Sequence, residues 1–294
     1  MSRCWKVALR CGSKKGDCVS VMQNKKKNIT KYYLGLDIGS LSCDAVLIDE
    51  GEKILATAVV PTGAKNQEAI ARAKEKVLRQ VGISFEQVTA TIATGYGRER
   101  VDGRLAAVTE ITCHGRGIEA LLSGTQVLID IGGQDSKVIR LDGAGHVVEF
   151  AMNDKCAAGT GRFLEAMARA LQVDIDQLSE LDRGATADLT LSSMCTVFAE
   201  SEVVSLIADG VEVNEIASGL NRAIASRTLG LVKRVAPDLR GLLVAMSGGV
   251  ARNRGVVRAL SSVFGKKVTI PPEPDTVGAL GAALIAKDRV NRSR

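Results

Sequence analysis

From Lys31 onward the chain alternates short apolar runs with longer amphipathic stretches. An apolar run over 32–38, broken only by Asp37, is followed by strand-like runs at 45–48 and 54–60, which predicts a three-stranded meander. Residues 68–81 then place Ile70, Ala73, Val77 and Val81 at helical spacing, and 88–94 returns to strand. The order begins again at 127–131, with further strands at 137–141 and 147–152, and both opening strands end in Asp-Ile-Gly, at Asp37–Gly39 and Asp130–Gly132. Such a repeat predicts an internally duplicated α/β fold. Helices dominate the rest. Residues 162–171 carry Phe163, Met167 and Leu171 on one face, 197–208 read as helix, and 216–235 align Ile216, Leu220, Ile224, Leu231 and Val235 in a stripe. A strand at 242–246 enters Ser247-Gly248-Gly249, and helices at 251–263 and 275–287 close the chain.

The composition, 46% hydrophobic and 24% charged over 294 residues, suits a globular protein with room for two modest domains. We expect a first domain over 31–124, joined by the C-terminal helix at 275–290, and a second over 125–274. The longest apolar runs, 242–246 and 279–286, fall far short of the roughly 20 residues that span a bilayer. No membrane partner is expected, and the cytoplasm is the expected location. The net charge of +6 suggests nucleic acid until it is located: residues 1–30 hold eight Lys/Arg against one Asp, and the remainder is close to neutral. That basic extension has neither periodicity nor the apolar core of a secretory signal, so we expect it to be disordered, with no nucleic-acid partner. Its evenly spaced Cys4, Cys11 and Cys18 lack the His or paired Cys-x-x-Cys of a metal motif.

The chemistry lies in the glycine-rich turns. A strand ending in Asp-Ile-Gly-Ser that turns straight back puts the N–H groups of Gly39, Ser40 and Leu41 in a bend able to hold phosphate oxygens. Asp37 points at the same spot, and a carboxylate beside phosphates calls for a cation between them, which implies Mg²⁺ held largely through water. Asp130 with Gly132 and Gly133 repeats the device, and Gly248-Gly249 adds a third loop where glycine lets backbone approach a ligand. Together they place a nucleotide, ATP or ADP, in a cleft between two like-folded halves. Gln134 and Asp135, directly after the second loop, are the polar groups placed to orient water for attack on the γ-phosphate, beside Asp130. Glu200 and Glu202 are candidates for nucleotide ribose or a dimer interface. His114 and His146 read as ordinary surface or capping histidines.

These loops resemble those of the actin, Hsp70 and sugar-kinase superfamily. A closer resemblance is carried by Gly35-Leu-Asp-Ile-Gly-Ser40, Ala93-Thr-Gly-Tyr-Gly-Arg98, Ile129-Asp-Ile-Gly-Gly-Gln-Asp135, Asn153-Asp-Lys-Cys-Ala-Ala-Gly-Thr-Gly-Arg162, Cys195-Thr-Val-Phe-Ala-Glu-Ser-Glu202, Ser247-Gly-Gly-Val250 and Gly278-Ala-Leu-Gly-Ala282. Over nearly everything from Tyr33 to Ala286, the chain resembles the ATPase family of 2-hydroxyacyl-CoA dehydratase activators and benzoyl-CoA reductase ATP-binding subunits. The resemblance implies a duplicated, ribonuclease-H-like fold of the actin and Hsp70 type. It also implies a homodimer sharing one 4Fe-4S cluster, ATP-driven one-electron delivery to a dehydratase or reductase iron–sulfur partner, and an upstream low-potential donor such as ferredoxin or flavodoxin. The positions matching the family's cluster ligands are Cys156 and Cys195.

On the residues alone, Cys156 and Cys195 each precede a helix, whose N-terminal partial charge suits an anionic cluster. Cys43, in a strand, and Cys113, near a helix start, read as small buried apolar residues. Four cysteines in the core could also hold a cluster within one chain or a tetrahedral zinc. After Gly39-Ser40 the family usually carries a Lys that reaches phosphate, whereas Leu41-Ser42-Cys43 leads here to Asp44, which weakens ATP binding or slows hydrolysis unless Lys137 or another cation substitutes. Two further readings stay open at this stage: a small-molecule kinase of the same superfamily, and a non-redox nucleotide switch.

Overall fold

Two mixed sheets of matching design frame the molecule. The structure, a computed structural model, describes residues 30–191 and 195–293; the basic extension with Cys4, Cys11 and Cys18 lies outside the described residues. In the first sheet β1 (Tyr32–Ile38), β2 (Ser42–Asp49) and β3 (Ile54–Pro61) form the antiparallel meander. β4 (Val88–Gly95) adds parallel to β1, and the two-residue β5 (Ala106–Ala107) adds to β4, giving the order β3-β2-β1-β4-β5. The second sheet repeats the plan: β6 (Val127–Ile131), β7 (Ser136–Leu141) and β8 (Val147–Asn153) as a meander, with β9 (Val244–Ser247) parallel to β6. β1 and β6 are buried on both faces, which is why they read as continuous apolar runs instead of alternating ones.

Helix α1 (Asn66–Val81) covers one face of the first sheet, burying Ile70, Ala73 and Val77 against Leu36, Ile38 and Leu47. The other face receives the last helix of the chain. Helices α3 (Gly161–Ala170), α4 (Ile175–Leu181), α5 (Thr196–Ala208), α6 (Val213–Val235) and α7 (Arg254–Phe264) cover the second sheet, packing Phe163, Met167, Leu178, Leu220 and Leu260 on Val127 and Ile129.

Two helices tie the halves together. α2 (Glu110–Leu121) buries Ile111 and Ile118 on Leu128, Ile139 and Leu141 of the second sheet, while α8 (Val277–Arg292) buries Ala279, Ala282 and Ala283 on the first. The two cross closely, since a Cβ on Gly117 would strike the Val277 carbonyl and one on Gly281 the Cys113 carbonyl. This crossing brings the ends of β1 and β6 to one place.

The structure departs locally from the sequence expectations. The helix expected at 251–263 begins at Arg254, because the Asn253 side chain accepts from the Val256 N–H (3.1 Å) and caps it after a 3₁₀ turn over 249–252. Helix α4 goes beyond those expectations, and α2 begins at Glu110, close to the helix start expected near Cys113. No helix among the described residues is long and apolar enough to cross a membrane.

Candidate functional site

Both sheets end in the same turn. The Gly39 N–H donates to the Ser42 carbonyl (2.9 Å), and the Gly132 N–H donates to the Asp135 carbonyl (3.0 Å). The turns face each other so closely that a Cβ on Gly133 would collide with the Leu41 side chain. Gly248, with φ 82°, enters from β9, and a Cβ there would press on the Ile131 carbonyl, so this position requires glycine. Between them lies a cleft of about 410 Å³. It is lined by Asp37, Gly39, Ser40, Leu41, Asp130, Gly132, Gly133, Asp135, Gly248 and Gly249, ten of the residues expected from sequence to meet nucleotide. Gln134 is exposed on the turn and is not among the lining residues. Glu200 and Glu202, on α5, do not line the cleft either.

The charge on the cleft floor is concentrated and paired. Lys137, buried on β7, reaches Asp135 (2.5 Å), Asp130 (3.3 Å) and Glu110 (3.4 Å). Asp130 also accepts from the Ser247 hydroxyl (2.9 Å) and lies 3.2 Å from His114 Nε2. Burial alone would raise the Asp130 pKa, but His114, Lys137 and Ser247 hold it far below the ordinary carboxylate range. Lys137 shows the converse: burial opposes its charge, and the three carboxylates raise its pKa above the ordinary lysine value. Glu110, Asp37 and Asp44 are raised, chiefly by burial. Tyr96, whose hydroxyl lies 3.5 Å from Asp135, is pushed up to about 12 by burial and by that carboxylate.

His114 overturns its sequence reading as a surface or capping residue. It is buried on α2, with Nδ1 2.9 Å from the Glu110 carbonyl and Nε2 facing Asp130, so each ring nitrogen meets an acceptor. Only the imidazolium can donate to both. Burial would lower its pKa, but Asp130, through charge and hydrogen bond, and Asp37 raise it to about 9. A folded-state pKa above the ordinary 6.5 adds stability that is complete below about pH 6.5 and lost as pH rises through 9. We expect roughly 3 kcal/mol of stability to disappear across that window. Urea unfolding of wild type at pH 6.5 and 9.5 should show this loss, and His114→Gln should flatten it. His114 and Glu110 were illegible in sequence because nothing marked α2 as an element of the site; Thr109, which accepts from the Thr112 N–H as its N-cap, was the available signal.

The cysteines divide into two kinds. Cys43 and Cys113 are fully buried, and burial pushes both thiols up to about 12, away from metal-binding chemistry. Cys195 is exposed as the N-cap of α5. Cys156 is half-buried in the loop before α3, and Arg227 donates to its Sγ (3.5 Å). Among the described residues no three His, Cys, Asp or Glu side chains gather into a metal site.

Duplicated sheets with paired glycine turns on a shared cleft define a two-domain α/β fold of the actin, Hsp70 and sugar-kinase type. Residues 34–286 match the BadF/BadG/BcrA/BcrD ATPase family, and the chain belongs to it. It is 46% identical to an activator of lactoyl-CoA dehydratase from Anaerotignum propionicum over 89% of this chain and 99% of that protein. It is 30% identical to one of the subunits of benzoyl-CoA reductase from Thauera aromatica, over 85% of this chain and 91% of that protein. The solved activator of the 2-hydroxyisocaproyl-CoA dehydratase from Clostridium difficile, with bound ADPNP, superposes with a TM-score of 0.84 at 40% identity, over 89% of this chain and 96% of that one.

Proposed function

We propose that this chain is an ATP-dependent one-electron donor that activates a 2-hydroxyacyl-CoA dehydratase or a related iron–sulfur enzyme. In this reading Cys156 and Cys195 from each chain of a homodimer hold one shared 4Fe-4S cluster. The observation that carries it is the contrast among the thiols: two buried and shut away, two accessible at the entrances to α3 and α5. Two thiols per chain suit a four-thiolate cluster completed by a second copy. Helix α5 favours the same arrangement, because it leaves Val197 and Phe198 66% exposed immediately after Cys195, with Val204 and Ile207 exposed further along. The bound cluster would supply a low-potential electron, replenished by a ferredoxin or flavodoxin in the cytoplasm.

The nucleotide cleft is wired to Cys156 by hydrogen bonds. The Gly132 and Gly133 carbonyls accept from the N–H groups of Gly161 (2.9 Å) and Arg162 (2.9 Å), which tie the phosphate loop to the start of α3. The Thr160 hydroxyl bridges the carbonyls of Gly133 (2.9 Å) and Ala157 (2.6 Å), and Asn153 Nδ2 donates to the Cys156 carbonyl (3.0 Å). When the Gly132–Gly133 loop closes on the γ-phosphate, α3 and the Cys156 loop move with it. Asp37 fits a Mg²⁺ that accompanies the phosphates largely through water. Asp135, which lines the cleft directly after the phosphate turn, is the acceptor we assign to orienting the attacking water, with Gln134 beside it on the same turn. Moving a two-state equilibrium from 1:99 to 99:1 takes about 5.5 kcal/mol of differential binding, within reach of nucleotide turnover.

The test is ATP-dependent activation of an oxidised 2-hydroxyacyl-CoA dehydratase by the reduced, anaerobically purified protein. Activation should require ATP. Thr160→Val should lose much of it while still binding ATP, because the hydroxyl that joins the Gly133 carbonyl to the Ala157 carbonyl is gone and only the backbone bonds remain; ATP-independent activation contradicts the reading. The benzoyl-CoA reductase relative favours a second reading, an ATP-binding subunit of such a reductase, which would co-purify as a stable hetero-oligomer.

A further inference from the structure

The two equivalent turns carry different charge pairs. In the second half Asp130 lies in register with Lys137 across β6 and β7, and the two close an ion pair at 3.3 Å. In the first half the same register sets Asp37 opposite Asp44 across β1 and β2. Directly opposed residues share a face of the sheet, so a second carboxylate stands where the other half has its lysine. Asp37 and Asp44 are 8% and 6% exposed, and both line the cleft. Asp44 Oδ2 accepts from the Ser42 hydroxyl (3.1 Å), but its Oδ1 is buried with no partner. The neighbouring cations are committed elsewhere, Lys137 to Asp135, Asp130 and Glu110, and His114 to Asp130.

A buried carboxylate oxygen without a donor, facing a second carboxylate, is costly to keep. An oxygen-only pair at the floor of a phosphate cleft suits a hard divalent cation, which keeps several waters and needs one or two carboxylates. We infer that Asp37 and Asp44 together hold a divalent cation of the Mg²⁺ or Mn²⁺ type, in the place that the Lys137 ammonium takes in the other half, and that it binds before nucleotide arrives. Phosphate oxygens then replace some of its waters. The charge reversal at Asp44 thereby becomes a cation site that is loaded in advance. This inference stands on the cleft alone, whatever Cys156 and Cys195 hold.

Mn²⁺ titrated into nucleotide-free protein, followed by the paramagnetic resonance signal of the free ion, tests it. Wild type should take up one tight Mn²⁺ per chain, and its thermal unfolding should rise with Mn²⁺ in the absence of nucleotide, a readout that needs no variant. Asp44→Asn should bind at least about a hundredfold more weakly. Asp44→Lys should not bind Mn²⁺ at this site, with circular dichroism confirming that both variants fold. Wild type without a tight site would overturn the inference in favour of a proton shared by the pair. Variants that bind like wild type would overturn it in favour of other carboxylates.

Discussion

Cys195→Ala should abolish ATP-driven electron transfer and leave nucleotide affinity within about twofold of wild type. The side chain is exposed and caps α5 without a side-chain hydrogen bond, and surface substitutions of this kind change stability by no more than about 0.5 kcal/mol. Loss of redox function in Cys195→Ala therefore cannot be an unfolding effect. Cys156→Ala should lose electron transfer equally, with a larger stability cost, since its thiol also packs on the second core and accepts from Arg227. Anaerobic electron-transfer assays beside ATP titrations separate the outcomes. Joint loss of both activities would make the cysteines structural.

The second large effect is expected at Lys137. Replacing it with Met strands Asp130, Asp135 and Glu110 around a buried position without their shared cation, and breaking a buried pair in this way costs about 3–5 kcal/mol. In a protein of this size that corresponds to roughly a 10 °C fall in Tm. The pH dependence identifies the cause. In wild type the depressed Asp130 contributes stability that is present above the ordinary carboxylate pKa and is lost as pH falls. In Lys137→Met, Glu110, whose pKa burial already raises, loses the ammonium that lowers it and takes up a proton more readily, so acidification relieves the variant while it weakens wild type. The gap between them should be widest near pH 7 and shrink toward pH 4. A gap that stays constant with pH would mean that lost packing, not lost charge, explains the variant.

The phosphate-binding half of the site was legible because its requirements are local. The tight turns leave a Cβ on Gly39 or Gly132 only 3.0 Å from the Ser42 carbonyl or Asp135 Oδ1, and the approach of β9 needs glycine at Gly248, so Asp-Ile-Gly and Gly-Gly announce themselves. The electrostatic half was less legible because it is tertiary. His114 and Glu110 reach the cleft only because α2 leaves the first half and packs on the second sheet. Gly115 and Gly117 lower helix propensity within α2, yet the fold needs them, since a Cβ at Gly115 would strike the Gly145 carbonyl and one at Gly117 the Val277 carbonyl. Close packing thus outweighs their low propensity along α2, of which the sequence showed only a start near Cys113. α4 was missed for the opposite reason: its seven residues show too little periodicity, although Asp174 and Gln177 form a capping box at its start. Asp44 was visible in sequence as a charge reversal, but its register with Asp37 was not.

Iron and acid-labile sulfide per chain, measured with solution mass on protein kept free of oxygen, bear most directly on the central claim. About two iron and two sulfide per chain in a dimer are predicted for wild type, and none in Cys156→Ala or Cys195→Ala. About four iron per chain, or an iron-free wild type under the same conditions, would contradict a cluster shared between two copies.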